Sequence, residues 1–134
     1  VTLLVPDEGE VVFASAALNK TAATNPILKL FKSNTTPAES DTAATYTEST
    51  FTGYSNVTLT GSSFTVTGGA PTSAAYAQQT FTSSANQTLE NCYGYFVVGT
   101  TNGKLLWVER FSNGPYAIAN NGDSIQVTPT ITWD

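Results

Sequence analysis

The clearest pattern of apolar and polar positions lies between Cys92 and Phe111 (CYGYFVVGTTNGKLLWVERF), where two apolar and aromatic runs flank Thr101-Asn102-Gly103. Asn-Gly between such runs predicts a β-hairpin. Whether the loop is Asn102-Gly103 or Thr100 to Gly103, an even residue faces an odd one across the ladder. One face then collects Cys92, Phe96, Val98, Leu105, Trp107, Glu109 and Phe111, and the other Tyr93, Tyr95, Val97, Leu106, Val108 and Arg110. Both faces are mostly apolar, so the hairpin is expected to be covered on both sides, centrally in a sandwich or at a subunit contact.

Upstream, Thr2 to Pro6 reads as a short strand or an arm. Asp7 caps an expected helix with Glu8 and Glu10 in its first turn, and Val11, Val12, Ser15, Ala16 and Leu18 mark one face as far as Asn19. A strand over Glu10 to Ala17 is the competing reading. Pro26 precedes a strand over Ile27 to Lys32, and Ser33 to Thr50 is a long polar connection of the kind that contacts neighbours, pinned to the core by Phe51 and Tyr54. Val57 and Leu59, then Phe64 and Val66, predict a hairpin around Thr60 to Ser63, and Ala75 to Phe81 another strand. After Phe111, a short apolar run from Tyr116 to Ala119 leads through Asn120-Asn121-Gly122 to the cleanest alternation in the chain. There Ile125, Val127, Pro129, Ile131 and Trp133 share one face. Pro129 cannot donate to a ladder, so this strand is expected at an edge or with a bulge.

These elements predict an all-β fold, a sandwich or jelly-roll-like domain of about eight strands with one short helix near the amino terminus. The whole chain, 1–134, reads as a single domain, with residues 1–6 as an arm if they do not pair.

Composition then narrows the chemistry. Charged residues are 11% of the chain and the net charge is −5, so no basic patch exists to offset phosphates, and a nucleic-acid partner is not expected. No stretch resembles a membrane span or a signal peptide, and the chain reads as mature and soluble. There is no histidine, the single cysteine, Cys92, sits in an apolar strand as a buried thiol, and no serine occupies a nucleophile elbow. Glu109 is the acid of most interest, since apolar neighbours would raise its pKa, but its place beside Arg110 favours an ion-paired or exposed structural role. Asp7, Glu8 and Glu10, and likewise Glu39 and Asp41, lack the spacing of a calcium loop. Asn19, Asn34, Asn56 and Asn86 begin glycosylation acceptor triplets of the sort expected by chance in a chain rich in asparagine and threonine. Tyr93, Tyr95, Trp107, Tyr116 and Trp133 read as core residues before they read as a sugar platform. No enzyme activity, metal or cofactor is expected.

Four segments carry a resemblance: LVPDEGE, LKLFKSNTTPAESDTAATYTEST, YGYFVVG with GKLLWVERF, and GPYAIANNGDSIQVTPTITWD. In this order they resemble a group of small tailed-bacteriophage virion structural proteins. The resemblance implies a particle component on the capsid surface. The expectation drawn from it is a decoration, or cement, protein that forms a homotrimer and binds the major capsid protein. Its expected contacts are Thr2, Leu3, Leu4, Val5 and Pro6 in the arm, Pro37 and Tyr46 in the long loop, and Pro129 and Trp133 in the last strand. The alternative is a tail-associated receptor-binding or carbohydrate-binding module.

Overall fold

In the computed structural model, which describes residues 3–133, the described residues form one α-helix, two single-turn 3-10 helices (Ala43–Thr45 and Gly61–Ser63) and eleven short strands. The α-helix and the strands begin with α1 (Asp7–Ala17), β1 (Pro26–Phe31), β2 (Val57–Thr58), β3 (Thr65–Thr67), β4 (Thr72–Ala75) and β5 (Gln79–Thr82). β6 (Glu90–Cys92), β7 (Gly94–Gly99), β8 (Leu105–Arg110), β9 (Tyr116–Ile118), β10 (Ser124–Val127) and β11 (Thr130–Trp133) follow. The main sheet is antiparallel in the order β2-β1-β7-β8. Smaller antiparallel sheets, β11-β4-β3, β10-β5 and β6-β9, supply the second layer of a sandwich-like all-β domain.

Every residue of β7 is buried, as a strand apolar on both faces requires. On one face, Leu28, Leu30, Tyr95, Val97, Leu106 and Trp107 meet Phe81, Ile118, Ile125, Val127 and Ile131 of the second layer. On the other, Phe31, Phe96, Val98, Leu105 and Val108 are covered by Tyr46 from the long connection. The Tyr46 ring lies 4.9 Å from that of Phe31 and 5.6 Å from that of Phe96. The connection itself extends the edge of β1: Lys32 N–H donates to the Thr47 carbonyl and Ser49 N–H to that of Leu30. The stretch expected to reach for neighbours is thus partly folded into its own domain.

The faces of the hairpin differ from the expected ones. Gly99 N–H bonds the Lys104 carbonyl at 2.9 Å across a loop from Thr100 to Gly103, with Gly103 left-handed at φ 64°. The ladder then slips: Val98 pairs with Leu105 but Val97 with Trp107, leaving Leu106 as the extra residue of a β-bulge. Beyond it, even residues face even ones. Trp107 and Glu109 therefore join Tyr95 and Val97, while Val108 and Arg110 join Phe96 and Val98.

Three other elements depart from the pattern. Val57–Val66 is not a hairpin, because β2 pairs with β1 whereas β3 pairs with β4 in a different sheet. The strand expected over Ala75 to Phe81 is divided between β4 and β5, opposite β11 and β10. At the division three residues, Tyr76 to Gln78, face two, Thr128 and Pro129, so the proline sits where the ladder is broken. Asp7 is the first helical residue rather than the cap; Pro6 is the cap residue and offers no side-chain hydrogen bond. The helix is also rotated from its expected face. Gly9, Val12 and Phe13 turn inward, and Val11 and Leu18 lie exposed.

The rotation follows from how the helix docks. Gly9 lies against the backbone of β8, where an added Cβ would fall on the Leu106 carbonyl oxygen and come within 2.9 Å of that of Leu105. Glu8 Oε1 accepts the Leu105 N–H at 2.6 Å. Ahead of the helix, Leu4 and Val108 exchange two backbone hydrogen bonds of 2.9 Å. The outer edge of β8 is thereby closed by the chain's own amino-terminal stretch.

Gly9→Ala is expected to cost about 1–3 kcal/mol through overpacking. Gly68→Ala, with nothing within 4 Å of its added Cβ, serves as the control expected to be close to neutral. Urea denaturation of the two variants checks this, and equal midpoints would contradict the close docking.

Candidate functional site

α1, the exposed stretch Thr21 to Thr24, the tip of the β7–β8 hairpin and β11 enclose a groove of about 870 Å³. Three ring contacts shape it. Phe13 stacks on Trp107 at 6.4 Å and meets Trp133 edge-on at 6.1 Å, and Phe64 stands against Trp107 at 6.4 Å. Val12, Ala74, Leu106 and Ile131 complete an apolar wall, and the Glu8–Lys104 ion pair, 3.3 Å long, marks its rim. A concavity of this size and lining accommodates apolar or aromatic groups of a ligand or of another chain.

The groove adjoins a strand edge. β3 is the outer strand of its sheet, with all three of its residues exposed. Val66, 69% exposed, sits in one row with Ala74 and Ile131, so its side chain is on the face that lines the groove. Trp133, 41% exposed, lies on β11, the opposite outer strand of that sheet.

Of the residues expected at contacts, Trp133 alone belongs to this groove. Leu3 and Val5 pack against the main core and Leu4 against the second cluster. Pro6 and Pro129 are fully buried, and Tyr46 is buried between Phe31 and Phe96, so these three rings offer no surface to a partner. Pro37 is half-buried in the long loop, and Thr2 lies outside the described residues. Phe13 carried no expectation, and Phe64 and Val66 were expected only as hairpin positions, not at a site. Phe13 had a readable signal, the Gly9, Val12, Phe13 and Ala16 spacing of a helix face.

The acids have structural partners. Glu109 and Arg110, as successive strand residues, point to opposite faces and form no ion pair; the bulge exchanges the faces of both. Glu109 Oε2 accepts the Tyr95 hydroxyl at 2.8 Å, and burial, with this carboxylate beside it, pushes the Tyr95 pKa up. Arg110 donates to the Thr35 carbonyl and to Asn34 Oδ1 and lies 5.0 Å from the centre of the Tyr93 ring. Asp41 accepts the Ala38 N–H and the Tyr46 hydroxyl. Burial, against a Ser49 contact of 3.2 Å, pushes the Cys92 thiol up to about 11, which leaves it protonated and unreactive at neutral pH.

Two carboxylates fasten the long connection to the sheet. Glu90 accepts the N–H groups of Thr50 and Phe51, the Thr50 hydroxyl and the Lys32 ammonium. Glu48 accepts Lys29 Nζ at 3.0 Å on one oxygen, and Tyr54 Oη at 2.9 Å and Asn56 Nδ2 at 3.1 Å on the other. Burial raises both carboxyl pKa values, but the hydrogen bonds outweigh it and hold both below the ordinary 4.5.

No helix among the described residues is long and apolar enough to cross a membrane. Comparison with family models, with curated proteins and with solved structures gives no match.

Because both carboxyls titrate lower in the folded than in the unfolded chain, their stabilisation is present above the ordinary 4.5 and is lost as pH falls through the folded values. The melting temperature, followed by circular dichroism from about pH 7 to about pH 3, is expected to drop over that acidic window. Glu90→Gln is expected to lower it at neutral pH and to make the acid drop shallower. An unchanged acid profile in that variant would remove Glu90 from this role.

Proposed function

We propose that the chain is a bacteriophage virion structural protein, a capsid decoration protein that binds the major capsid shell as a homotrimer. The single observation that carries this reading is the unequal treatment of the sheet edges. The chain closes the edge of β8 with Leu4 and Glu8, but leaves β3 open beside an aromatic groove. An open edge with an exposed valine is a liability in a free monomer and an asset in a protein that docks through it. A groove on one copy and a different surface on the next form a heterologous contact, which closes into a ring when the rotation permits. The resemblance to small virion proteins supplies the setting.

A second reading rests on the same groove. Trp133 at its mouth, with Thr101 and Asn102 nearby, has the make-up of a small sugar-stacking platform, as a tail-associated carbohydrate-binding module would have.

Quantitative mass spectrometry of the purified virion, with antibody-labelled electron microscopy, decides between them. Hundreds of copies over the head support the decoration reading, a handful at the tail tip supports the second, and absence from the particle ends both. Val66→Glu is expected to weaken shell binding about tenfold or more while the chain stays folded, since Val66 makes little use of its own core. Full binding by that variant would remove the β3 edge from the contact.

A further inference from the structure

Three ion pairs are formed among the described residues: Lys29–Glu48, Lys32–Glu90 and Lys104–Glu8. In only one does the carboxylate also hold a side-chain amide. Glu48 binds Lys29 Nζ on Oε2 and Asn56 Nδ2 on Oε1, so amine and carboxamide are held on the two oxygens of one carboxylate. Glu90 is shared instead with the Thr50 hydroxyl, and Glu8 with the Leu105 N–H, neither of which is a carboxamide that could acylate a lysine with loss of ammonia.

The strand register brings the same pair together. Ile27 faces Thr58 and Leu28 faces Val57, so one step further along β1 puts Asn56 opposite Lys29. The Lys29 side chain is 24% exposed and its Nζ lies 6.0 Å from the centre of the Phe96 ring; Glu48 is 30% exposed and further fixed by the Tyr54 hydroxyl. The amine is thus held on one oxygen of the Glu48 carboxylate, with the Asn56 carboxamide held on the other.

From this juxtaposition we propose that Lys29 and Asn56 become joined by an intramolecular isopeptide bond, with Glu48 carrying the proton. The ion pair favours the ionised forms, so the reaction draws on the small fraction in which Glu48 has taken a proton from the Lys29 ammonium, and in it the freed amine attacks Asn56 Cγ. The new C–N bond forms as the bond from Cγ to Nδ2 breaks. Glu48 returns its proton to the departing nitrogen, which also receives the second proton lost by the lysine nitrogen and leaves as ammonium. One amide replaces another, no oxidant or reductant is needed, and Glu48 ends as it began. Holding the groups on one carboxylate supplies the proximity that makes a single slow turnover sufficient. The bond would tie the two-residue strand β2 to β1 and close the long connection between them. The inference does not depend on the virion reading.

Intact mass of the denatured full chain is the test. The chain is expected to be lighter than its sequence by one ammonia, and a peptide map is expected to recover a branched peptide joining Lys29 to Asn56. Glu48→Gln and Asn56→Ala are both expected to keep the full sequence mass. Asn56 is exposed, so its variant should fold, as circular dichroism would verify, and melt several degrees lower for want of the link. A wild-type chain at full mass after prolonged incubation at neutral pH overturns the proposal. So does an ammonia loss that maps to the Asn-Gly pairs at 102–103, 113–114 or 121–122, where a succinimide has the same mass. A link that still forms in Glu48→Gln overturns the role given to Glu48.

Discussion

A strand that is buried on both faces must be covered twice, and β7 imposes that requirement on the whole chain. With 134 residues and one main sheet, the second layer cannot enclose both sides. The three small sheets cover one face in the usual way, with Ile125, Val127 and Ile131 facing Val97 and Trp107. The other face is covered by a connection that has little ladder of its own. Its single large apolar contribution is Tyr46, wedged between Phe31 and Phe96.

A cover without a ladder has to satisfy its backbone by other means, and here side chains do so. Glu90 receives the consecutive N–H groups of Thr50 and Phe51, and Arg110 donates to the Thr35 carbonyl. Hydrogen bonds to ionised groups are worth about 1.5–3 kcal/mol at best and less where water competes, so the cover is held by several modest ties rather than one strong one. This gives the sparse charges of the chain a use. Of its ten acidic residues, Glu48 and Glu90 secure the connection and Glu8 the edge of β8.

What could be read from the sequence was whatever depends on neighbours along the chain. Asn102-Gly103 marks its hairpin, and the alternation through Ile125, Val127, Pro129 and Ile131 gives the inner face of the last two strands, with Pro129 at the break. Parity along a strand, however, is only as reliable as the ladder is regular. The one extra residue at Leu106 exchanged the faces of Trp107 through Arg110, and with them the surroundings of Glu109. Partner choice was equally hidden: Val57 and Val66 have the same local character, yet β2 and β3 join different sheets. The sequence named Trp107 and Trp133 of the groove as aromatics but not as neighbours, because Phe13, Phe64 and Trp107 meet there from three separate stretches.

The edges of β8 and β3 are treated differently. Closing β8 takes two backbone hydrogen bonds from Leu4 and one carboxylate from Glu8, so this chain has the means to guard an edge. β3 is three residues long, too short for a pairing ladder alone to offset the entropy lost when two molecules associate. Any stable contact there has to draw on side chains as well, and the aromatic groove beside Val66 is where apolar area is available. Under the proposed docking role, edge and groove act as one surface, the edge setting the register of what docks and the groove supplying the affinity.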